Sequence, residues 1–505
     1  MHARSFSDQP LQGPPSGDVE FLLSACREQF HQLLSDVLQS QDQEAHGVEA
    51  KIFKRLMELG FLLLNLFFST HHLGDYGPTV ETTEGTAERG RPSEKSYFSI
   101  FGKLKVKRYL YHLGEESFAP LDIVLNLPIR CYSYFLSEWV NQLNVHRAYE
   151  HTSAFLKKFL GLALSVSALE TISQESARQY EAYYALKKTL PQGEPTGERI
   201  VVSFDGKGVP MIKKEAAKIQ AKLGKGQKRQ KKKEALVGAK YTIDPHPRTP
   251  EEVATNLVFP EQNDELPPGE GRTEAKAQDI RYIASVEKPK QAVMEEIFEE
   301  IKEENFDNAP LLCLIDGAKS LVSSLGAAFR RIRNKVIILD IIHVLEYIWL
   351  IAHLKYGEGN DAASHYVYDH LLLILKGDVS AYLQELGDER KTGSWTASQQ
   401  KVFSKVMTYL ENHQPYMNYG QYLAQGYPIA TGVVESACGH VVSDRMEISG
   451  ARWGIQGSEA ILRLRSVYQS QDWEEYWAFY TAQFREKGFL QTQDNLLNLQ
   501  EKMAA

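Results

Sequence analysis

Two short apolar segments, each followed directly by Asp-Gly, constrain the fold of this chain more than any other feature. Residues 199–204 (RIVVSF) precede Asp205-Gly206, and residues 310–315 (PLLCLI) precede Asp316-Gly317. Apolar runs of this length without polar alternation are typical of strands that are buried on both faces. Three further segments predict strands, at residues 235–243, 281–286 and 335–339. Strands followed by an alternation of helix and strand predict a mixed, α+β domain.

The segments before this domain have a different pattern. Residues 19–41 and 48–68 carry apolar side chains at helical spacing and predict a helical hairpin. Residues 79–96 are rich in Thr, Glu, Gly and Arg, and they predict a mobile loop. Residues 97–112 are dense in aromatic and β-branched residues around a Gly102 turn, which predicts a β-hairpin.

Two helical segments, 136–160 and 165–184, flank a break at Gly161. This arrangement fits a DNA-binding helix-turn-helix, and it fits a plain helical hairpin equally well. Residues 342–425 also have a helical pattern. The predicted organisation has six regions: 1–96, a helical region with the mobile loop; 97–190, the β-hairpin and the helix-turn-helix-like DNA-binding region; 199–345, the first part of the catalytic core; 346–428, a helical insertion; 429–470, the last part of the core; and 471–505, an aromatic C-terminal helix and tail.

The residues that can carry chemistry are acidic. Carboxylates that follow buried strands stand at the sheet edge where open sheets build sites, and two of them close together need a cation or a raised pKa. Asp-Gly is also an ordinary strand-ending turn, and that alternative stays open for Asp205 and Asp316. Glu435 begins an apolar helix, where it suits either a cation or the helix dipole. Asp340 and His343 share a helix face, which suits the orientation of a neighbouring site residue, a contact of His343 with a substrate phosphate, or a structural hydrogen bond.

The charge of the chain is unevenly distributed. The net charge of −8 alone argues against a protein that coats nucleic acid. Residues 213–233, however, contain ten Lys or Arg and one acidic residue, a block of +9 that leaves −17 on the rest. The block begins eight residues after Asp205, so we interpret it as a phosphate-binding segment rather than only a solvated surface.

Cysteine usage and hydropathy bear on the compartment. The four cysteines are far apart in sequence and form no CxxC pair, which favours a reducing cytosol. The longest apolar run, residues 61–68, is too short to cross a bilayer, and the first eighteen residues lack the pattern of a signal peptide. We therefore expect a soluble cytoplasmic protein without membrane contact.

Four motifs together carry a family resemblance. They are SFDGKG at 203–208, LIDGA at 314–318, GVVESACGH at 432–440 and MEISGARW at 446–453. With their order and spacing, the segment from about residue 199 to 467 resembles DDE transposases of the ISKra-type bacterial insertion sequences. The segment DIIH at 340–343 resembles the Asp/Cys-x-x-His element of Mutator-like transposases. Asp316 and Glu435 are 119 residues apart, which leaves room for a helical insertion.

The resemblance implies an RNase H-like mixed sheet and two-metal phosphoryl transfer. Asp205, Asp316 and Glu435 would hold two Mg²⁺ or Mn²⁺ ions, with His343 as a further catalytic residue. The partners would be the terminal inverted repeats of an element and target DNA, bound by a homo-oligomer that is associated with the nucleoid in the bacterial cytoplasm. The expected DNA-binding residues are Lys207, Lys228, Arg229, Lys231, Lys232, Lys233, Arg445, Arg452 and Trp453.

Several alternatives remain open at the level of sequence. Trp453 suits either a DNA wedge or a core position, and the aromatic C-terminal helix suits either a dimer interface or core closure. Relatives often carry zinc-binding Cys pairs after the N-terminal hairpin, but residues 112–122 contain no Cys, so no zinc is expected there. The rival functions are a catalytically silent DNA-binding protein, an RNase H-like nuclease without strand transfer, and a helical scaffold with incidental carboxylates.

Overall fold

The computed structural model describes residues 17–82, 85–190, 196–219, 231–263, 275–301, 309–448 and 450–487. The chain divides into two compact units. Residues up to 190 and from 471 onward form the first, and the residues between them form the second. No helix in the described ranges is long and apolar enough to cross a membrane. The architecture is α+β, as expected from the sequence.

The first unit begins with a helical hairpin, which confirms the prediction from residues 19–41 and 48–68. Helix α1 spans Gly17–Leu38 and helix α2 spans Ala45–Ser69. Polar contacts join the two helices along one side: Arg55 Nε lies 3.2 Å from Asp36 Oδ2, and Gln29 Nε2 donates to Glu58 Oε2 at 2.8 Å. A short 3₁₀ turn, His72–Gly74, follows α2.

A four-stranded antiparallel sheet follows the hairpin, with strands in sequence order. The strands are β1, Thr79–Thr82; β2, Gly85–Ser99; β3, Gly102–Leu113; and β4, Glu116–Phe118. The β-hairpin predicted over residues 97–112 is confirmed. The mobile loop predicted over 79–96 is wrong, because β2 pairs with β3 along most of its length. Most polar residues of β2 are cross-strand partners of β3. Ala87 and Ser99 are the residues of β2 that are buried.

Four longer helices and one short helix complete the N-terminal part. They are α3, Pro120–Val124; α4, Tyr134–Asn144; α5, Tyr149–Leu160; α6, Val166–Ser176; and α7, Tyr180–Lys187, with a 3₁₀ turn at Ala177–Gln179. Gly161, at φ +68°, ends α5, and the Ser165 side chain caps α6 by accepting from Ala168 N at 3.2 Å. The helix predicted over 136–160 is two helices, since Ala148 is extended and begins a new one.

The aromatic helix near the C-terminus belongs to the same unit. Helix α20 spans Trp473–Lys487. The Tyr476 ring lies edge-on to Tyr183 of α7 with ring centroids 5.4 Å apart, and Lys187 Nζ lies 2.6 Å from Asp472 Oδ1. Trp477 is 3% exposed. The aromatic residues therefore close the core of the first unit.

The second unit contains a five-stranded mixed sheet in the order β7-β6-β5-β8-β9. The strands are β5, Arg199–Pro210; β6, Lys232–Ile243; β7, Gln278–Ser285; β8, Leu311–Ile315; and β9, Lys335–Leu339. Strands β5, β8 and β9 are parallel, whereas β6 is antiparallel to β5 and β7 is antiparallel to β6. All five strands predicted from the sequence are present, and β9 has the predicted bounds.

Helices surround this sheet and fill the segment between β9 and Glu435, as predicted. Before the insertion are α8, Lys213–Ala216; α9, Pro250–Val258; α10, Lys290–Ile301; and α11, Lys319–Ala328, with a 3₁₀ turn at Pro260–Asn263. The insertion contains α12, Ile341–Tyr356; α13, Asp361–Leu375; α14, Val379–Thr392; α15, Ala397–His413; and α16, Tyr419–Ala424, with a 3₁₀ turn at Gln414–Tyr416. The last part contains α17, Gly432–Ala437; a π-helical segment, Cys438–Ser443; α18, Asp444–Met446; and α19, Ile455–Gln469.

Candidate functional site

Asp205 and Asp316 stand side by side on neighbouring parallel strands. Phe204 of β5 is the register partner of Ile315 of β8, so the two aspartates are the next residue along each chain. Burial raises the pKa of the Asp316 carboxyl, and the charge of Asp205 raises it further. The Ala318 N–H opposes this shift by donating to Asp316 Oδ1 at 2.7 Å. The structure therefore brings the two predicted acids close enough to repel each other.

The prediction that both Asp-Gly pairs end their strands is correct for Asp316 and wrong for Asp205. Strand β5 continues to Pro210, because β6 pairs with it along its whole length, whereas β8 ends at Ile315. Asp205 thus lies where β5 loses one of its two neighbours. Gly317 does turn the chain, at φ +83°. A Cβ there would come 2.8 Å from Tyr409 Oη, so only glycine fits this close approach.

Glu435 and Asp340 meet at a shared hydroxyl. Asp340 is fully buried at the start of α12, where Oδ1 accepts from Ile342 N at 2.8 Å. The Thr431 hydroxyl, just before α17, contacts Asp340 Oδ2 and lies 3.0 Å from Glu435 Oε1. A hydroxyl carries one hydrogen and can donate to only one of the two oxygens. The second contact therefore needs a proton on a carboxyl or a nearby cation.

These residues form the candidate cation site. Single ligand atoms of Asp340, His343 and Glu435 all lie within 4.8 Å of one another, and among the described residues no other group of three or more such side chains meets this spacing. The predicted trio of Asp205, Asp316 and Glu435 is therefore not equally close. The structure adds Asp340, which the sequence indicated only as an orienting residue.

Cys438 connects the two acidic groups. Its Sγ donates to Asp205 Oδ2 at 3.3 Å, and burial raises the pKa of the Cys438 thiol, with the charges of Asp205 and Glu435 adding to the effect. The pKa of Asp340 is likewise raised by burial and, to a smaller extent, by the Glu435 charge. Four carboxylates from four segments thus share one edge of the sheet, and the pKa of Asp316 and of Asp340 is raised first by burial and then by a neighbouring negative charge.

A lysine lies beside this edge, on the same strand as Asp205. Lys207 is two residues beyond Asp205 in an unbroken register with β6, so both side chains are on the same face of β5. Lys231 and Lys232 are exposed and Lys233 is half-buried at the start of β6, with Lys232 paired to Glu447. The predicted contacts Lys228 and Arg229 lie outside the described residues.

The predicted DNA contacts Arg445 and Trp453 are corrected by the structure. The Arg445 side chain is 2% exposed, and its guanidinium lies over the Trp453 ring at 4.7 Å from the centroid. Trp453 Nε1 donates to Met446 O at 3.0 Å. A π-helical segment, Cys438–Ser443, lies between Glu435 and Arg445 and changes the phase of the helix there. Arg452 remains exposed.

Two residues of the helical insertion reach the site without any signal in the sequence. His413 Nε2 lies 2.8 Å from Gly317 O, and Tyr409 Oη donates to Asp316 O at 3.4 Å. The Tyr409 ring stacks on Tyr347 of α12 at 3.8 Å between centroids. Helix α15 therefore supports the turn that follows Asp316. A Tyr and a His one turn apart on an amphipathic helix give no indication of this role.

The chemistry that this arrangement permits follows from its donors. Carboxylate oxygens suit Mg²⁺ and Mn²⁺, and an added imidazole also suits Mn²⁺. In comparisons with known proteins, no family model matches the chain, and no curated protein matches it. The arguments for function therefore rest on the geometry of this sheet edge.

Proposed function

We propose that the protein is a DNA transposase that cleaves the ends of an insertion sequence and joins them to target DNA. The observation that carries the proposal is the meeting of Asp205, Asp316, Asp340 and Glu435 at one sheet edge, although up to 230 residues separate them in sequence. Metal ions can activate a hydroxyl for attack on a phosphodiester, and several carboxylates in one place can hold such ions.

The sheet is consistent with an RNase H-like core. The first acid is on the central strand β5, the second follows the parallel neighbour β8, and helices α12–α16 separate both from the acid on α17. This is the arrangement that the resemblance to DDE transposases implies. The helical insertion also contacts the turn after Asp316, which supports a catalytic rather than a purely spacing role.

The residues fit a divalent cation. The Thr431 hydroxyl contacts both Asp340 and Glu435 but has one hydrogen, so one of the two contacts needs a further proton or a cation. The pKa of Asp316 and that of Asp340 are each raised by burial and by a neighbouring acid. Asp205, Asp316 and Glu435 would hold two Mg²⁺ or Mn²⁺ ions, with Asp340 and His343 completing the ligands. When bound, these ions would activate a water or a 3′-hydroxyl and stabilise the leaving oxygen.

The protein's own side chains then position the DNA. Lys207, on the same face of β5 as Asp205, is placed to bind a phosphate beside the acids, and exposed Lys231 and Arg452 would add contacts to the DNA backbone. Thr431 holds Asp340 and Glu435 together. We further propose double-stranded DNA as the partner and the bacterial cytoplasm as the location.

The test uses DNA fragments that carry the sequences flanking the encoding gene on both sides, with a supercoiled target plasmid. Asp205→Asn should abolish Mg²⁺-dependent nicking and joining while leaving DNA binding intact. The matched control is Asp388→Asn, because Asp388 is 63% exposed on α14 and pairs only at the surface with Lys391. The control should keep wild-type activity.

Each outcome separates the alternatives. DNA binding without metal-dependent cleavage by the wild type would identify a catalytically silent DNA-binding protein. Cleavage without joined products would identify a nuclease without strand transfer. Full cleavage by Asp205→Asn would show that the reaction does not need the acidic cluster.

A further inference from the structure

The N-terminal hairpin exposes large apolar side chains on one face. On α2 they are Phe53, Leu56, Leu63 and Phe67, each between 46% and 49% exposed. On α1 they are Leu23, Phe30, Leu34 and Val37, between 38% and 48% exposed. We call these eight side chains the hairpin face. The acidic cluster of the second unit plays no part in this surface.

The hairpin face is separate from the faces that the fold already uses. Helix α2 contacts α1 through Arg55 and Glu58, and it contacts the sheet through Phe68, whose ring lies 5.2 Å from that of Tyr97. At about 100° per residue, Leu63 and Phe67 point to a third side of α2, on which the Phe101 ring packs over Gly60 in the middle of the stripe. The exposed stripe of α1 likewise points away from Gln29 and Asp36, the residues of α1 that contact α2.

The spacing of the exposed residues is that of a helical bundle. Steps of 3, 7 and 4 residues separate the four on α2, and steps of 7, 4 and 3 separate the four on α1. These are a and d positions of a heptad, the spacing with which helices pack at a shallow angle. In addition, residues 59–69 contain no charged side chain. A helix that is apolar all round is normally buried on every side.

The exposed area matches the requirement of a stable dimer. Each large apolar side chain at about half exposure contributes roughly 80 Å², so the eight residues supply about 650 Å² per copy. That value exceeds the apolar patch usual on a monomer and approaches the roughly 800 Å² per partner of a standard interface. A two-helix layer is most fully covered by a second two-helix layer, as in a four-helix bundle.

We infer that the hairpin face is a self-association surface, on which a second copy of this chain packs its own hairpin to form a four-helix bundle. The other charged residues of these two segments point to other sides of the helices, and only Arg27 lies at the margin of the α1 stripe, so a two-fold arrangement buries like against like. This inference does not depend on the transposase proposal, since it concerns a surface of the first unit.

The test measures the mass of the full-length protein by sedimentation velocity at low micromolar concentration. We expect twice the chain mass of 57.3 kDa for the wild type. Leu34→Glu/Leu63→Glu, one change per helix, should raise the dissociation constant about a hundredfold or more because two charges would enter an apolar interface. The control, Ser24→Glu/Lys54→Glu, adds more negative charge at exposed positions off the hairpin face and should remain a dimer.

A charge-reversal pair guards against a folding defect. Leu34→Lys/Leu63→Lys should also be monomeric alone, and mixing it with the Glu variant should restore a dimer that contains one copy of each. A monomeric wild type would overturn the inference. The hairpin face would then be covered by the chain's own terminal segments or would bind another apolar surface, such as a neutral phospholipid vesicle. A Glu variant that stays dimeric would overturn it as well.

Discussion

Removing the shared hydroxyl of Thr431 should loosen the start of the Glu435 helix by a predictable amount. Thr431 is 3% exposed, and Thr431→Val keeps its shape while removing the hydroxyl that contacts both Asp340 and Glu435. A hydrogen bond to a charged group is worth about 1.5–3 kcal/mol, so we expect a loss of about 2 kcal/mol in local stability. Thr431→Ser keeps the hydroxyl and should lose about 1 kcal/mol or less, through its missing methyl group.

Hydrogen exchange read by mass spectrometry resolves this change in a chain with two units. In chelator, peptides that cover residues 429–448 should exchange about thirtyfold faster in Thr431→Val, since each 1.4 kcal/mol is about tenfold. Peptides from α4–α7 should not change. Equal exchange in wild type and Thr431→Val, or an equal increase in both units, would show that the hydroxyl does not hold the two acids.

Two further perturbations address charged and titratable side chains of the second unit. Lys207→Gln should weaken DNA binding and reduce the slope of log affinity against log salt by about 0.9, the loss of one phosphate contact; Lys401→Gln, at an exposed position of α15, should change neither. Burial lowers the pKa of His440, and the charge of Arg465 lowers it further. The folded state therefore favours the neutral imidazole. The contribution of His440 to stability is present above the unfolded pKa of about 6.5 and is lost as the pH falls through the lower pKa of the folded state. The melting temperature should therefore fall between about pH 7.5 and 5, and His440→Gln should flatten part of that fall; an unchanged profile would contradict the assignment.

The parts of the fold that the sequence predicted are those fixed by local apolar pattern. Strand β9 was predicted with its bounds because Val336 to Leu339 form an unbroken apolar run, which a strand beside the fully buried parallel strand β8 requires. The polar strand β2 was missed, because its stability comes from pairing with β3 and not from its own composition. Likewise the extension of β5 past Asp205 depends on β6, which begins 27 residues later.

The sequence named three acids of the candidate site and missed the residues that support them. Asp205, Asp316 and Glu435 were named because carboxylates beside apolar segments are unusual, and their role as metal ligands stays a prediction. The role of Thr431 and of Tyr409 depends on contacts across the fold, which no local pattern encodes. Arg445 was misplaced for a related reason, since a single π-helical turn is not visible in residue spacing.

The separation of the acids along the chain has a consequence for synthesis. Asp205 and Glu435 are 230 residues apart, and Ile341 N, at the start of the Asp340 helix, is held by Ile429 O at 2.9 Å. At a ribosomal rate of about 5–20 residues per second, Glu435 is added roughly 12–46 s after Asp205. A nascent chain that already has its strand β5 thus lacks the last acid for that interval. If the protein is the transposase proposed above, the timing of translation itself would keep a partly made chain from acting on the DNA nearby.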